Sequence, residues 1–257
     1  MDKYKIIQTI SYKSFYSDLF ICIDLNSGHK VFIKKFAKYH KDQEGKILKQ
    51  INHPNIVEYI DFFLENDSYY LVQSFIEGVT LEDFVKINKK NINTMLTNIE
   101  IKNIIIEMIR AIRYLNKKHI YHMDIRPCNI LYDYTKQVKI IDFGCAITEE
   151  FKIKGSYFGV TSHLPPEFLK DSKYENSDIW GIGIILYYLI YQHLPFTFSK
   201  DVSIPIDFER LENEYNRPKD ENYNRIELIK LLKYILNIDI EKRHNLNQIK
   251  NYLESIK

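Results

Sequence analysis

Glycine and proline are scarce, at 8 and 7 in 257 residues. That excludes a collagen-like, linker-rich or low-complexity organisation. Cysteine occurs three times, as Cys22, Cys128 and Cys145. The number is odd, the positions are scattered and no CxxC pair occurs, so a disulfide framework is excluded and a reducing compartment, the cytoplasm, is the expected location. An excess of charge of one sign is also missing. Lys+Arg 36 stand against Asp+Glu 34, a formal net charge of +2, which leaves no electrostatic drive toward nucleic acid or a membrane surface. No apolar run approaches the ~20 residues needed to span a bilayer. The longest, 179–191, reads as a buried helix. The opening MDKYKIIQTI carries no apolar core of a secretory signal. Lysine-bearing stretches at 34–41 and 86–90 read as solvated surface.

What is present is an ordinary globular composition, 45% hydrophobic and 27% charged, with length for one large domain or two small lobes. Residues 1–75 read mainly as strands. Segments 6–10, 18–24 and 30–36 are short and rich in aromatic and β-branched side chains, and Asn26-Ser27-Gly28-His29 is a turn signal between the last two. A helix is expected over 42–51, ended by Asn52-His53-Pro54, with further strands at 56–64 and 69–75. After Gly78 the period changes. Ile101, Ile104, Ile105, Met108, Ile112 and Leu115 fall on one helical face. The rest reads mostly helical, with short strands near 130–132 and 138–141 and a polar loop over 88–98. A small strand-rich half followed by a larger helical half predicts two lobes with a cleft near 74–79.

The sharpest segment is His122-Met123-Asp124-Ile125-Arg126-Pro127-Cys128-Asn129. Asp142-Phe143-Gly144 begins thirteen residues after Asn129. Two carboxylates and an amide in short loops between strands suit Mg²⁺-assisted phosphoryl transfer. One acid accepts a hydroxyl proton, while the amide and the other acid supply hard oxygen ligands. This pair of segments resembles the catalytic loop and metal-binding DFG motif of the eukaryotic-type protein kinase family, in its serine/threonine-like form.

Further elements follow in family order. Val31-Phe32-Ile33-Lys34 resembles the strand that carries the phosphate-contacting lysine. Glu44, ahead of His53-Pro54-Asn55, resembles the helix glutamate that pairs with it. Pro165-Pro166-Glu167 resembles the APE motif, Ser177-Asp178-Ile179-Trp180-Gly181 the buried helix whose Asp ties down the catalytic loop, and Arg243 the arginine that bridges to the APE glutamate. Each alone is weak, and Lys34 or Glu44 could be a surface residue; together and in order they are specific. The resemblance implies an α+β, bilobal protein-kinase-like fold over 1–257, with a small β-rich N-lobe (about 1–75), a hinge (about 74–79) and a larger, mainly helical C-lobe (about 80–257). It implies ATP and Mg²⁺ as cofactors, and a monomer acting on protein substrates that bear Ser/Thr, with no nucleic acid and no membrane. Asp124 would be the base, Lys34 and Glu44 would place the phosphates, and Arg126 would stabilise charge on the transferring group. Asn129 and Asp142 would hold the metal. Phe32, Gln73 as gatekeeper, Ser74 and Ile76 at the hinge, and Leu131 would contact the nucleotide. A stacked spine of Leu48, Tyr59, His122 and Phe143, anchored at Asp178, is implied as well.

The chain departs from the family pattern in several places. No glycine occupies the glycine-rich loop, where Ser11-Tyr12-Lys13-Ser14-Phe15-Tyr16 stand instead, although glycine lets backbone N–H groups approach phosphates. Phe32 replaces a small residue over the adenine. Lys34 to Glu44 is only ten residues, so the helix must start soon after the strand. Met123 replaces the arginine that receives an activation-loop phosphate, which implies activity without loop phosphorylation. The first three departures support a rival, a pseudokinase that binds or scaffolds. A small-molecule phosphotransferase of similar fold shares the Asp124–Asn129 spacing but usually lacks the Glu167, Asp178 and Arg243 set.

Overall fold

Aromatic and β-branched residues in period two build the first part of the chain. The computed structural model describes residues 1–10, 17–37, 43–88, 96–151, 163–195, 206 and 224–256. The stretches 11–16 and 152–162 therefore lie outside the described residues. β1 (Tyr4–Ile10), β2 (Ser17–Asp24), β3 (Lys30–Ala37), β4 (Tyr59–Glu65) and β5 (Ser68–Ser74) form one antiparallel sheet in the order β1-β2-β3-β5-β4. The short α1 (Gln43–Lys49) interrupts them. One compact unit covers Met1–Glu77 and a second covers Gly78–Lys257.

In the first unit the alternation separates two faces. Tyr4, Cys22, Val31, Ile33, Tyr70 and Val72 are buried together on one. Phe63 stacks there on Tyr70 and Tyr4, with centroids 5.1 and 6.1 Å apart. The opposite face carries Phe32 and Lys34, opposite Gln73 and Leu71 of β5. α1 buries Glu44, Gly45, Ile47 and Leu48. A Cβ on Gly45 would stand 2.7 Å from the Phe62 ring, so glycine is what lets this helix approach β4. The expected start of β4 at 56 is early by three residues: Ile56 and Val57 are buried, but the regular ladder begins at Tyr59.

The second unit opens with β6 (Gly78–Thr80), which pairs with β7 (Ile130–Asp133), itself paired with β8 (Val138–Ile140). Its helices are α2 (Leu81–Asn88), α3 (Asn98–Asn116), α4 (Pro166–Asp171), α5 (Ser177–Tyr191), α6 (Ile226–Ile235) and α7 (Leu246–Ser255). α3 begins where a capping box stops the polar stretch: the Thr97 hydroxyl accepts from the Glu100 N–H, and the Glu100 carboxylate accepts from the Thr97 N–H. Its periodic face, Ile101 to Leu115, is buried, each such side chain contributing roughly 1.5–3 kcal/mol on transfer from water. α5 is apolar on all sides and buried from Ser177 through Ile190, which makes it the axis of the unit. No helix among the described residues is long and apolar enough to cross a membrane.

Candidate active site

α5 sets the position of the catalytic-loop segment. Asp178, in its first turn and 1% exposed, accepts the backbone N–H of His122 at 2.8 Å and of Met123 at 2.9 Å. Burial pushes the Asp178 carboxyl up, opposed by the nearby His122 imidazole and by these two N–H groups. One turn on, a Cβ on Gly181 would lie 2.6 Å from Ile125, so only glycine admits the loop this close. Met123 adopts the left-handed region at φ 65°, uncommon outside Gly, Asn and Asp.

His122 joins the two motifs. Its Nδ1 accepts the Asp124 N–H at 3.2 Å, so the proton sits on Nε2, which donates to the Ile141 carbonyl at 3.0 Å. Its ring meets Phe143 edge to face at 4.6 Å. The Ile141 N–H returns to the Asn129 carbonyl at 3.0 Å. Asp142 follows, in the left-handed region at φ 66°, capping the 3₁₀ turn Phe143–Cys145 through its carboxylate and the Gly144 N–H.

Asn129 donates from Nδ2 to both the carbonyl and Oδ2 of Asp124, at 2.9 and 2.6 Å. The other carboxylate oxygen, Oδ1, is buried and accepts no hydrogen bond among the described residues. Burial holds the Asp124 carboxyl above the ordinary 3.8. Arg126 and His122 pull it down, Asp142 pushes it up and Asn129 lowers it. Arg126 precedes the 3₁₀ turn Pro127–Asn129. Cys128 offers its Sγ to Asn129 Oδ1 at 3.5 Å, and burial pushes its thiol up to about 11.

The first unit holds the remaining candidates. Lys34 Nζ meets Glu44 Oε1 at 2.7 Å, with side chains only 12% and 9% exposed. The helix begins at Gln43, soon enough after β3 for this pair to form across ten residues. Phe32, half-buried, lies opposite Gln73, which is 2% exposed with an Nε2 that has no partner among the described residues. Ser74 ends β5 and Ile76 stands two residues on, while Leu131 sits on β7 in the second unit. A cavity of about 590 Å³ in the first unit, between the β2–β3 turn and the end of β5, shares only Ser74 with these positions. Of the four spine residues, His122 and Phe143 meet within the second unit; Leu48 and Tyr59 belong to the first. Sequence reasoning left unremarked the His122 bridge to Ile141 and the doubled Asn129–Asp124 bond. A histidine two residues before the acid and an amide five after it were the available signals.

A family profile described as protein kinase domain matches residues 15–253. The chain belongs to the eukaryotic-type protein kinase family. It is 31% identical over 217 residues to calcium-dependent protein kinase 4 of Plasmodium falciparum, a match covering 79% of this chain and 40% of that protein. It is 32% identical over 179 residues to serine/threonine-protein kinase PrkC of Bacillus subtilis, covering 68% and 26%. It is 35% identical over 183 residues to serine/threonine-protein kinase Nek10 of Homo sapiens, covering 66% and 15%. The chain thus spans at most two fifths of the length of these kinases. The fold matches that of Rad53 residues 1–466, solved in complex with AMP-PNP, at a TM-score of 0.75 and 24% identity, over 97% of this chain and 64% of that one. The kinase fold accounts for a strand-built first unit and a helical second unit.

Proposed function

We propose that this kinase transfers the γ-phosphate of ATP to serine or threonine hydroxyls of proteins. The observation that carries the reading is the Asp124 carboxylate. One oxygen is held by Asn129 and the other, buried, accepts no hydrogen bond among the described residues. That is the state a base needs to receive a substrate hydroxyl. The hydroxyl oxygen attacks the γ-phosphorus, its proton passes to Asp124, and the bond to the β-phosphate oxygen breaks, releasing ADP. Lys34, placed by Glu44, holds the α- and β-phosphates. Arg126 offsets charge on the transferring group.

Asn129 and Asp142 suit a hard divalent cation. Both offer oxygen donors, and the repulsion of Asp142 on Asp124 is what such a charge would relieve. These two residues would hold Mg²⁺, which would supply positive charge to offset that of the phosphates. Two protein ligands suffice, because Mg²⁺ is usually held by one or two carboxylates together with substrate phosphates. The AMP-PNP carried by Rad53 supports a nucleotide site, and the serine/threonine kinases among the relatives support the hydroxyl class. Phe32 favours a second reading, nucleotide or partner binding without turnover, because it places a phenyl group on the same face as Lys34.

The test is transfer from γ-labelled ATP with Mg²⁺ to the protein itself and to a generic protein mixture, run beside Asp124→Asn. Label on serine or threonine with the wild type alone supports the reading. No label above the variant from folded protein, with Mn²⁺ also tried, overturns it in favour of the binding module.

A further inference from the structure

The residue immediately before Asp124 has a part that the proposed chemistry does not use. Met123 is 2% exposed and packs with Ile147, Leu164 and Phe168 in one apolar cluster, rimmed by Tyr121, Cys145 and Tyr174. These residues come from three stretches of chain: the approach to the catalytic loop, the run just after Asp142, and the residues entering, forming and following α4. Tyr121 and Ile147 exchange both backbone hydrogen bonds, at 3.0 and 2.8 Å. Tyr121 also meets Tyr174 edge to face at 5.1 Å.

The backbone at Met123 is left-handed, and its N–H is held by Asp178. A left-handed residue without glycine's freedom stays so only where its surroundings over-determine it. Here the backbone bond fixes one end and the buried thioether chain fixes the other. Methionine suits the role because three rotatable bonds let it fill an irregular gap between stretches. Asp124 is joined to Met123 by one peptide bond, yet its carboxylate lies in different surroundings, with Asn129. The dihedral angles at Met123 therefore set where that carboxylate points.

The geometry points to Met123 as a positioning residue for Asp124: its side chain, clamped by Ile147, Leu164 and Phe168, holds the acid in register and fastens the chain on both sides of 148–163 to the catalytic loop by apolar contact. This rests on the phosphotransfer reading above. Truncating the side chain releases the clamp and leaves the Lys34–Glu44 pair untouched. A misplacement of order 1 Å at a reacting group costs on the order of 10²-fold in rate.

The experiment measures kcat and KM for ATP on the whole chain as wild type, Met123→Ala, Met123→Leu and Leu164→Ala, with near-UV circular dichroism to quantify folded protein. Met123→Ala should lose kcat on the order of 10²-fold at unchanged KM and unchanged folded fraction, with Met123→Leu restoring most of it. Wild-type kcat in Met123→Ala overturns the assignment. So does a loss that only tracks the folded fraction. Should Met123→Ala fail to fold, Leu164→Ala decides from the far side of the cluster: lost kcat at constant KM supports the clamp, and wild-type kcat overturns it. If the wild type itself transfers no phosphate, the phosphotransfer reading falls and takes this inference with it. An active wild type with an indifferent Met123→Ala sinks this inference alone.

Discussion

Replacing Glu167 by alanine should unfold the second unit far more readily than removal of any surface charge. Arg243 donates from Nη1 to Glu167 Oε1 and from Nη2 to Oε2, the latter at 2.9 Å. The two side chains are 2% and 10% exposed. The guanidinium also donates to the Asn237 carbonyl from Nε and Nη2, at 3.0 and 2.9 Å, and lies 4.9 Å from the Trp180 ring. Arginine cannot shed its charge, so the variant buries a guanidinium whose carboxylate is gone. Removing one partner of a buried pair costs about 3–5 kcal/mol. The ring and the Asn237 carbonyl remain, which favours the lower end. The exposed Lys86–Glu82 pair, at 60% and 37%, should cost only about 0.3–0.5 kcal/mol when broken. Trp180 is the only tryptophan in the chain and sits against Arg243, so its fluorescence reports this unit directly in urea. The midpoint should fall with the m-value unchanged, and the melting temperature should drop by about 6–20 °C. A loss below about 1 kcal/mol, in the range of exposed pairs, would refute the reasoning.

Three further outcomes follow from the site. Asp124 must be ionised to act as a base, and its carboxyl is held above 3.8, so kcat/KM should fall with decreasing pH along a limb centred above that value, moved higher still in Arg126→Ala; a limb at or below 3.8 would contradict it. Exchanging Lys34 and Glu44 together for methionine should leave the first unit as stable as before or more so, because the buried pair gives up its desolvation penalty, while abolishing phosphate transfer; retained transfer would remove Lys34 from the mechanism. Cys128, with its thiol pushed up to about 11, holds only about one thiolate in ten thousand at pH 7, so iodoacetamide should label it far more slowly in folded than in urea-unfolded protein by mass spectrometry; equal rates would show that the thiol is not shielded.

Much of this was legible before any coordinates. Period-two segments separated by turn residues located the strands of the sheet, and the 3.6-residue period from Ile101 to Leu115 located α3. Boundaries were less legible. β4 begins at Tyr59 rather than 56 because buried side chains at Ile56 and Val57 look like strand whether or not a neighbour completes the ladder. β6 spans three residues, too few for any period to register. α3 begins at Asn98, at the end of the stretch read as a loop, because the Thr97 capping box stands one residue before it.

The sequence by itself determined the family, the order of elements and the candidate groups for the proposed chemistry. Asp124, Asn129 and Asp142 lie within nineteen positions of one another, so their spacing is a local property. The face of Lys34 follows from strand alternation, and its pairing with Glu44 from a helix that starts soon after the strand. Only the tertiary structure decided the environment of those groups. Burial raises the Asp124 carboxyl, the two N–H groups bound by Asp178 hold the loop from more than fifty residues away, and Gly181 admits Ile125. Met123, which by sequence is merely a missing arginine, becomes the centre of an apolar clamp. The physical reason is that burial and clamping depend on which distant chains arrive at a residue, and that is settled by packing of the whole unit rather than by any local spacing.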